Sequence, residues 1–324
     1  MLEYSDCQKL IEENLIQLYY DEEPNQLYSP IRYILRLGGK RLRPCFTLLA
    51  HNLFSENIKD ALYPALGIEV FHNFTLLHDD IMDNASMRRK QETVHKKWNE
   101  NTAILSGDAM MIIAYDLISK SRSEIFPDVF KIFNKTALEV CEGQQYDMNF
   151  EKQNSVKVNE YLKMIRLKTA VLFGASLAIG GITALSGSEN IENLYQLGIN
   201  VGSGFQLQDD YLDVFASSAD FGKKIGGDII ANKKTYLLIM ALNSNNKNAV
   251  KELKGWIEKK GFDPEEKVQA VKRIYQNLGI DEATRILASE YIEKGLIYLS
   301  QISADKERKN ALQNLILQIT KREN

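Results

Sequence analysis

The sequence predicts an all-α protein, and three observations carry that expectation. Apolar residues recur near helical period at both ends of the chain: Leu10, Ile11, Leu15 and Leu18 early, and Ala311, Leu312, Leu315, Ile316 and Ile319 late. Only six prolines occur in 324 residues, and none lies between Pro127 and Pro264, which permits a long succession of helices. No stretch alternates apolar and polar residues between turn pairs, so a sheet is not expected.

The elements follow from local punctuation. Ser29-Pro30 marks a helix start, Gly38-Gly39 its end, and Pro44 fits the first turn of the next helix. Gly187 and Gly261 mark similar ends. Residues 169–188, TAVLFGASLAIGGITALSGS, carry no charge over about the length that crosses a bilayer. Their richness in small residues, and the lack of a companion span, assign them to a buried central helix. The Gly- and Lys-containing stretch from Ala216 to Thr235 is a long loop, and such loops are often functional. With no fixed-period repeat and no low-complexity linker, a single domain over residues 1–324 is expected.

Composition narrows the function classes. At 44% hydrophobic and 26% charged the chain suits a soluble globular protein with a large core. A formal net charge of -3 gives no general attraction to nucleic acid or anionic membrane, so any basic function has to be local. Cys7, Cys45 and Cys141 form no CxxC pair, which points away from a disulfide framework or zinc site and toward a reducing cytoplasm. The opening MLEYSDCQKLIEEN has acids where a secretory or transit peptide would have basic residues, so residue 1 is expected to belong to the mature protein.

The chemistry is concentrated in LLHDDIMD, residues 76–83. On a helix Asp79 and Asp83 lie about 40° apart and about 6 Å along the axis, so both carboxylates leave one face. A lone DDxxD is commonly a solvated helix end. Here it follows apolar Phe74, Leu76 and Leu77, and it recurs as Asp209, Asp210 and Asp213 in FQLQDDYLDVF. Paired acidic elements on apolar backgrounds suit Mg²⁺, which takes a few carboxylates, water and phosphate oxygen. Basic groups that could meet such a phosphate are Lys40, Arg41 and Arg43 in LGGKRLRP, Arg88 and Arg89 in MRRK, Lys168, and Lys223, Lys224, Lys233 and Lys234 in the loop. His72, about 20° off Asp79, and Gln206, three before Asp209, can face the same way.

Together these residues resemble the trans-isoprenyl diphosphate synthases, the polyprenyl synthetase family. The resemblance covers roughly residues 30–240 through GGKRLRP, HNFTLLHDDIMDNASMRR, GDAM, GQQYDM, LKTA, FQLQDDYLDVF and GKKIGGDI with NKKT, in the family's order. It implies a helical bundle of the isoprenoid synthase type around a central cavity, a homodimer, and three Mg²⁺ per site. Asp79 and Asp83 would hold two ions and Asp209 with Asp213 the third. Arg88, Lys168, Lys223 and Lys233 would bind the allylic diphosphate, while Lys40, Arg43, His72 and Arg89 would seat isopentenyl diphosphate. Gly39 would shape the Lys40 turn, and Thr169 and Gln206 would stand beside the developing carbocation.

Two departures bear on this. Lys90 and Glu92 stand where the family usually has Gly and Pro, and GKKIGG replaces the commoner GKIG, leaving Lys223 and Lys224 as competitors for one role. Lys223 is the one assigned.

The implied reaction is ionisation of an allylic diphosphate of C5 to C15, condensation with isopentenyl diphosphate, and proton loss. Product length in the family depends on the fourth and fifth residues before the first Asp, here Thr75 and Phe74. Helical geometry puts Thr75 about 40° and Phe74 about 140° from Asp79. A C15 to C20 product, geranylgeranyl diphosphate foremost, is expected. The alternatives are a terpene cyclase, disfavoured by the intact second DDxxD, and a non-catalytic partner subunit. A di-iron reading of Glu69-Val-Phe-His72 lacks its second ExxH, and a nucleic-acid binder is disfavoured by net acidity.

Overall fold

A computed structural model describes residues 2–18, 22–216 and 226–320. In chain order the helices are α1 (Tyr4–Gln17), α2 (Asn25–Arg36), α3 (Leu42–Asn52) and α4 (Lys59–Met82). A hairpin, β1 (Met87–Arg88) and β2 (Gln91–Glu92), leads to α5 (Val94–Lys97), α6 (Glu100–Ser119), α7 (Phe126–Lys152), α8 (Val158–Ile165), α9 (Val171–Thr183) and α10 (Ser188–Phe215). Then come α11 (Gly227–Ile230), α12 (Tyr236–Leu242), α13 (Lys247–Glu258), α14 (Pro264–Asn277), α15 (Ile280–Gln301) and α16 (Lys306–Thr320). The fold is all-α, and among the described residues the hairpin holds the only strands.

Contacts divide the chain into two compact units, each drawn from three stretches. The first comprises Met1–Thr136, Leu172–Gln196 and Tyr298–Leu315; the second comprises Ala137–Val171, Leu197–Ile297 and Ile316–Asn324. Aromatic side chains mark the core of the first, with Phe71 and Phe133 rings 5.3 Å apart and Phe46 and Phe173 5.6 Å apart. The second has one apolar cluster around Leu237, Leu253, Val271 and Ile274 and another around Phe150, Tyr161, Leu207 and Ile239.

Helix α2 begins four residues before the expected Ser29-Pro30 start. Asn25 explains the difference: its N–H bonds the Glu23 carboxylate at 2.6 Å, and its side-chain oxygen accepts from Ser29 at 2.7 Å. That fastened first turn tolerates Pro30 inside the helix. The stops at Gly38, Gly187 and Gly261 are as expected, with φ of +73°, +85° and +70°.

Between β1 and β2, Arg89 and Lys90 both have positive φ, +50° and +65°, which is the two-residue turn that usually takes Asn-Gly. Lys90 therefore adopts the conformation for which glycine is better suited.

Two helical runs are long and apolar enough to cross a membrane by length and composition, α6 and Val158–Thr183. The second is 89% buried inside the protein, as expected of a core helix. Gly180 shows why small residues are needed there, since a Cβ would stand 2.4 Å from the Thr47 carbonyl on α3.

Candidate functional site

Both aspartate triplets sit where a helix ends. Asp79 and Asp80 are in the last turn of α4 and Asp83 is its C-cap, while Asp209, Asp210 and Asp213 occupy the last two turns of α10. The carbonyl end of a helix is the negative pole of its dipole, which disfavours each carboxylate by about 0.3–1 kcal/mol. That placement favours a bound cation over a merely solvated acidic end.

In the first unit the middle aspartate already has a protein cation. Arg88 Nε lies 2.9 and 2.8 Å from the two Asp80 oxygens, and its Nη2 is 2.8 Å from Oδ1. Burial raises the Asp80 carboxyl, with Arg88 pulling the other way. The same Nη2 lies 3.9 Å from Asp79 Oδ2, and Asp80 holds Arg88 in place.

Two turns earlier on α4, His72 stands in a crowd of positive charge. Arg43 Nη1 is 3.1 Å from His72 Nε2, and its guanidinium stacks 4.6 Å from the Phe173 ring centre. Arginine has no acceptor, so Nε2 must accept and a neutral His72 carries its proton on Nδ1. Burial, followed by Arg43, Arg89 and Arg88, holds His72 well below its ordinary value. Burial also brings Arg43 down to about 10, Glu69 opposing and Arg89 assisting. Arg43 Nε is buried with no hydrogen-bond partner. Arg89 donates to the Gly38 carbonyl and lies so close to the turn that a Cβ on Gly39 would stand 2.7 Å from its Cζ. Gly39, with φ of +130°, suits that backbone and leaves room for the approach.

Arg41 is structural. It is 3% exposed and paired with Glu12 at 2.8 Å and Glu69 at 2.7 Å. Glu69, bonded also to Asn73, is thereby committed, which removes the di-iron reading. Lys40 follows Gly39 in the same turn. Phe74 is 8% exposed, its ring 5.5 Å from Phe71 and 4.8 Å from His78, whereas Thr75 is half-buried and donates to the His72 carbonyl.

In the second unit, Lys168 and Thr169 occupy a π-helical turn, Arg166–Ala170, between α8 and α9. Such turns re-aim side chains and recur at functional sites. Gly143 on α7 makes the turn accessible: a Cβ there would stand 2.2 Å from Lys168 N. Across that contact Lys168 Nζ meets Asp147 Oδ2 at 2.6 Å. Burial works to raise Asp147, but Lys233 and Lys168 hold it below the usual carboxylate value.

A relay of neutral donors runs beside it. Thr169 Oγ1 donates to Gln206 Oε1 at 2.9 Å, Gln206 Nε2 donates to Asp210 Oδ1 at 2.9 Å, and the Tyr161 hydroxyl donates to Asp210 Oδ2. Burial, and then Asp228, push Asp210 up to about 7 against Tyr161, Lys233 and Gln206. Asp213 accepts the Asp228 N–H at 2.9 Å, and the Lys233 N–H bonds the Asp228 carbonyl, so Asp228 joins α10 to the lysine segment. Lys223 and Lys224 lie outside the described residues.

Among the described residues no three His, Cys, Asp or Glu side chains gather into a preformed metal cage. Sequence reasoning missed Asp147, Tyr161 and Asp228. Asp147 was findable, since Gly143 and Asp147 stand four apart on one helical face in GQQYDM.

Comparison with known proteins agrees with this chemistry. Residues 24–277 match the pattern of the polyprenyl synthetase family. The chain is 39% identical to the geranylgeranyl pyrophosphate synthase of Geoglobus acetivorans over 308 residues, 94% of this chain and 93% of that one. It is similar to a crystal structure of a geranylgeranyl pyrophosphate synthase at 44% identity and TM-score 0.95, covering 100% of both chains. It also resembles a Caulobacter crescentus polyprenyl synthase complexed with calcium and isoprenyl diphosphate, at 25% identity and TM-score 0.86, covering 98% of this chain and 94% of that one.

Proposed function

The chain belongs to the polyprenyl synthetase family, and on that premise we propose that it is a Mg²⁺-dependent trans-prenyltransferase making geranylgeranyl diphosphate. Its substrates are isopentenyl diphosphate and an allylic diphosphate of C5 to C15, and its products are all-trans chains of C15 to C20. The observation that carries this reading is the crowd of Arg43, Arg88 and Arg89 around a neutral His72, which an anionic ligand relieves.

Asp79 and Asp83, with Asp209 and Asp213, would hold three Mg²⁺, which when bound neutralise charge on the departing diphosphate. Arg88, oriented by Asp80, and Lys168 and Lys233, beside Asp147, bind the allylic diphosphate together with Lys223. Lys40, Arg43, Arg89 and the Nδ1–H of His72 seat isopentenyl diphosphate. The bond from allylic carbon to diphosphate oxygen breaks, and the isopentenyl double bond attacks the resulting cation. A proton then leaves for the released pyrophosphate. Thr169 and Gln206 turn oxygen toward the cation without carrying a charge that would capture it.

Phe74 and Thr75 set the floor for the growing chain. The interleaved stretches of the two units support one catalytic domain, and the free cysteines Cys7, Cys45 and Cys141 support the cytoplasm. A homodimer is supported by α6, where Leu105 and Ile112 are 59% and 67% exposed and Ile104 and Met111 add to one apolar face.

The purified chain, given isopentenyl diphosphate, Mg²⁺ and a C5, C10 or C15 primer, should yield C20 alcohol after dephosphorylation and chromatography. Phe74→Ala should lengthen it. Cyclised hydrocarbon, or no product from any primer, would refute the proposal.

A further inference from the structure

The three carbonyls of the Gly38–Lys40 turn are each taken by a side chain. Arg89 donates to Gly38, Gln8 Nε2 to Gly39 at 3.1 Å, and the Tyr4 hydroxyl to Lys40 at 2.5 Å. The next residue, Arg41, is gripped through its guanidinium by Glu12 at 2.8 Å. Three of these four tethers come from α1. Tyr4, Gln8 and Glu12 stand four residues apart and form one polar edge. The adjoining edge, Cys7, Ile11 and Leu15, is buried and fixes the helix in place.

The turn needs such restraint. Gly38, Gly39 and Arg41 have φ of +73°, +130° and +48°. Glycine visits that region without preferring it, and for arginine it is strained. Untethered, the turn would spread over many conformations and carry Lys40 with it, whereas Arg43 is held within α3 by His72 and Phe173. Carbonyls already occupied by donors also keep their lone pairs from an incoming anion.

We infer that the Tyr4–Gln8–Glu12 edge of α1 positions the anion-binding turn, pre-arranging Lys40 for isopentenyl diphosphate. This rests on the proposed role of that turn. The edge touches no substrate; it acts through the backbone of residues 39 and 40 and the side chain of Arg41.

Steady-state kinetics of the full chain with Mg²⁺, varying each substrate in turn, test it. Tyr4→Phe, Gln8→Ala and Glu12→Gln should each raise KM for isopentenyl diphosphate about three- to tenfold, the effect of one lost hydrogen bond, with kcat and the allylic KM within about twofold. Tyr4→Phe removes a single oxygen and keeps the ring, so misfolding does not obscure it. An unchanged KM for isopentenyl diphosphate in Tyr4→Phe/Gln8→Ala overturns the inference, as does an equal loss of kcat/KM for both substrates. Lys40→Ala separates the two levels. If it raises that KM while the α1 variants do not, only the role of α1 fails; if it does not, the assignment of the turn fails and the inference with it.

Discussion

The same DDxxD pattern ends α4 in the first unit and α10 in the second, yet the two are embedded in opposite fields. Asp80 is clasped by the cationic Arg88, and earlier on the same helix a neutral His72 stands among Arg43, Arg89 and Arg88. Asp210 is held by the neutral Tyr161 and Gln206, and burial, then the charge of Asp228, push its carboxyl up to about 7. The outer aspartates share a helix-terminal position that asks for a cation. The inner ones are supports, each built from what its neighbourhood supplies. One surrounding has an excess of positive charge and calls for an anion, while the other crowds carboxylates and calls for a cation.

The likeness between the outer aspartates should produce the largest effect. Asp79→Ala and Asp209→Ala are each expected to lower kcat/KM by about a thousandfold or more, as loss of a metal-assisted leaving group does. Their thermal stability should hold or rise, because each removes a carboxylate from a helix carbonyl end. Steady-state rates at saturating Mg²⁺ together with melting curves test this. Ordinary turnover in either variant would break the symmetry assumed between the motifs.

How much of this was legible in the sequence depended on the range of the contact. The Asp79/Asp83 and Asp209/Asp213 spacings, the Gly38-Gly39 stop and the burial of residues 169–183 are local consequences of helical period and glycine backbone freedom. The start of α2 was misplaced because an Asx-type staple at Asn25 outweighed the usual preference for proline in the first turn. Asp147 meets Lys168 across 21 positions and through a π-helical turn that no propensity foretells. The Tyr4–Gln8–Glu12 edge likewise looks like any polar helix face until the turn it grips is seen.

The difference between the inner aspartates gives an intermediate effect. Asp80→Asn leaves a largely buried guanidinium with one neutral oxygen and the more distant Asp79 at 3.9 Å, at a cost of roughly 2 kcal/mol after allowing for Arg88 being 21% exposed. Asp210→Asn keeps an oxygen for Gln206 Nε2 and offers an N–H to the Tyr161 oxygen, so it should cost about 1 kcal/mol or less at pH 7. Denaturant titration of the metal-free protein separates the two. A larger loss in Asp210→Asn would mean that the neutral relay matters more to the fold than the ion pair.

The remaining contrast concerns pH, and the two regions should respond with opposite sign. In the metal-free protein Asp210 keeps its proton up to about pH 7, whereas an unfolded aspartate loses it near 3.8. Between those values the folded state binds the extra proton, so raising the pH across that window lowers stability, by at most about 1.4 kcal/mol per unit. His72 is the mirror case. Its folded value lies well below 6.5, so below pH 6.5 the unfolded chain takes up a proton that the folded chain refuses, and stability falls as the pH drops. Asp210→Asn should flatten the decline between about pH 4 and 7, and His72→Gln should flatten the fall on the acid side of 6.5. Urea midpoints from pH 4 to 8 read both slopes. If one substitution flattened both, the two fields would not be independent, and the contrast between a cation-rich and a carboxylate-rich region would lose its physical basis.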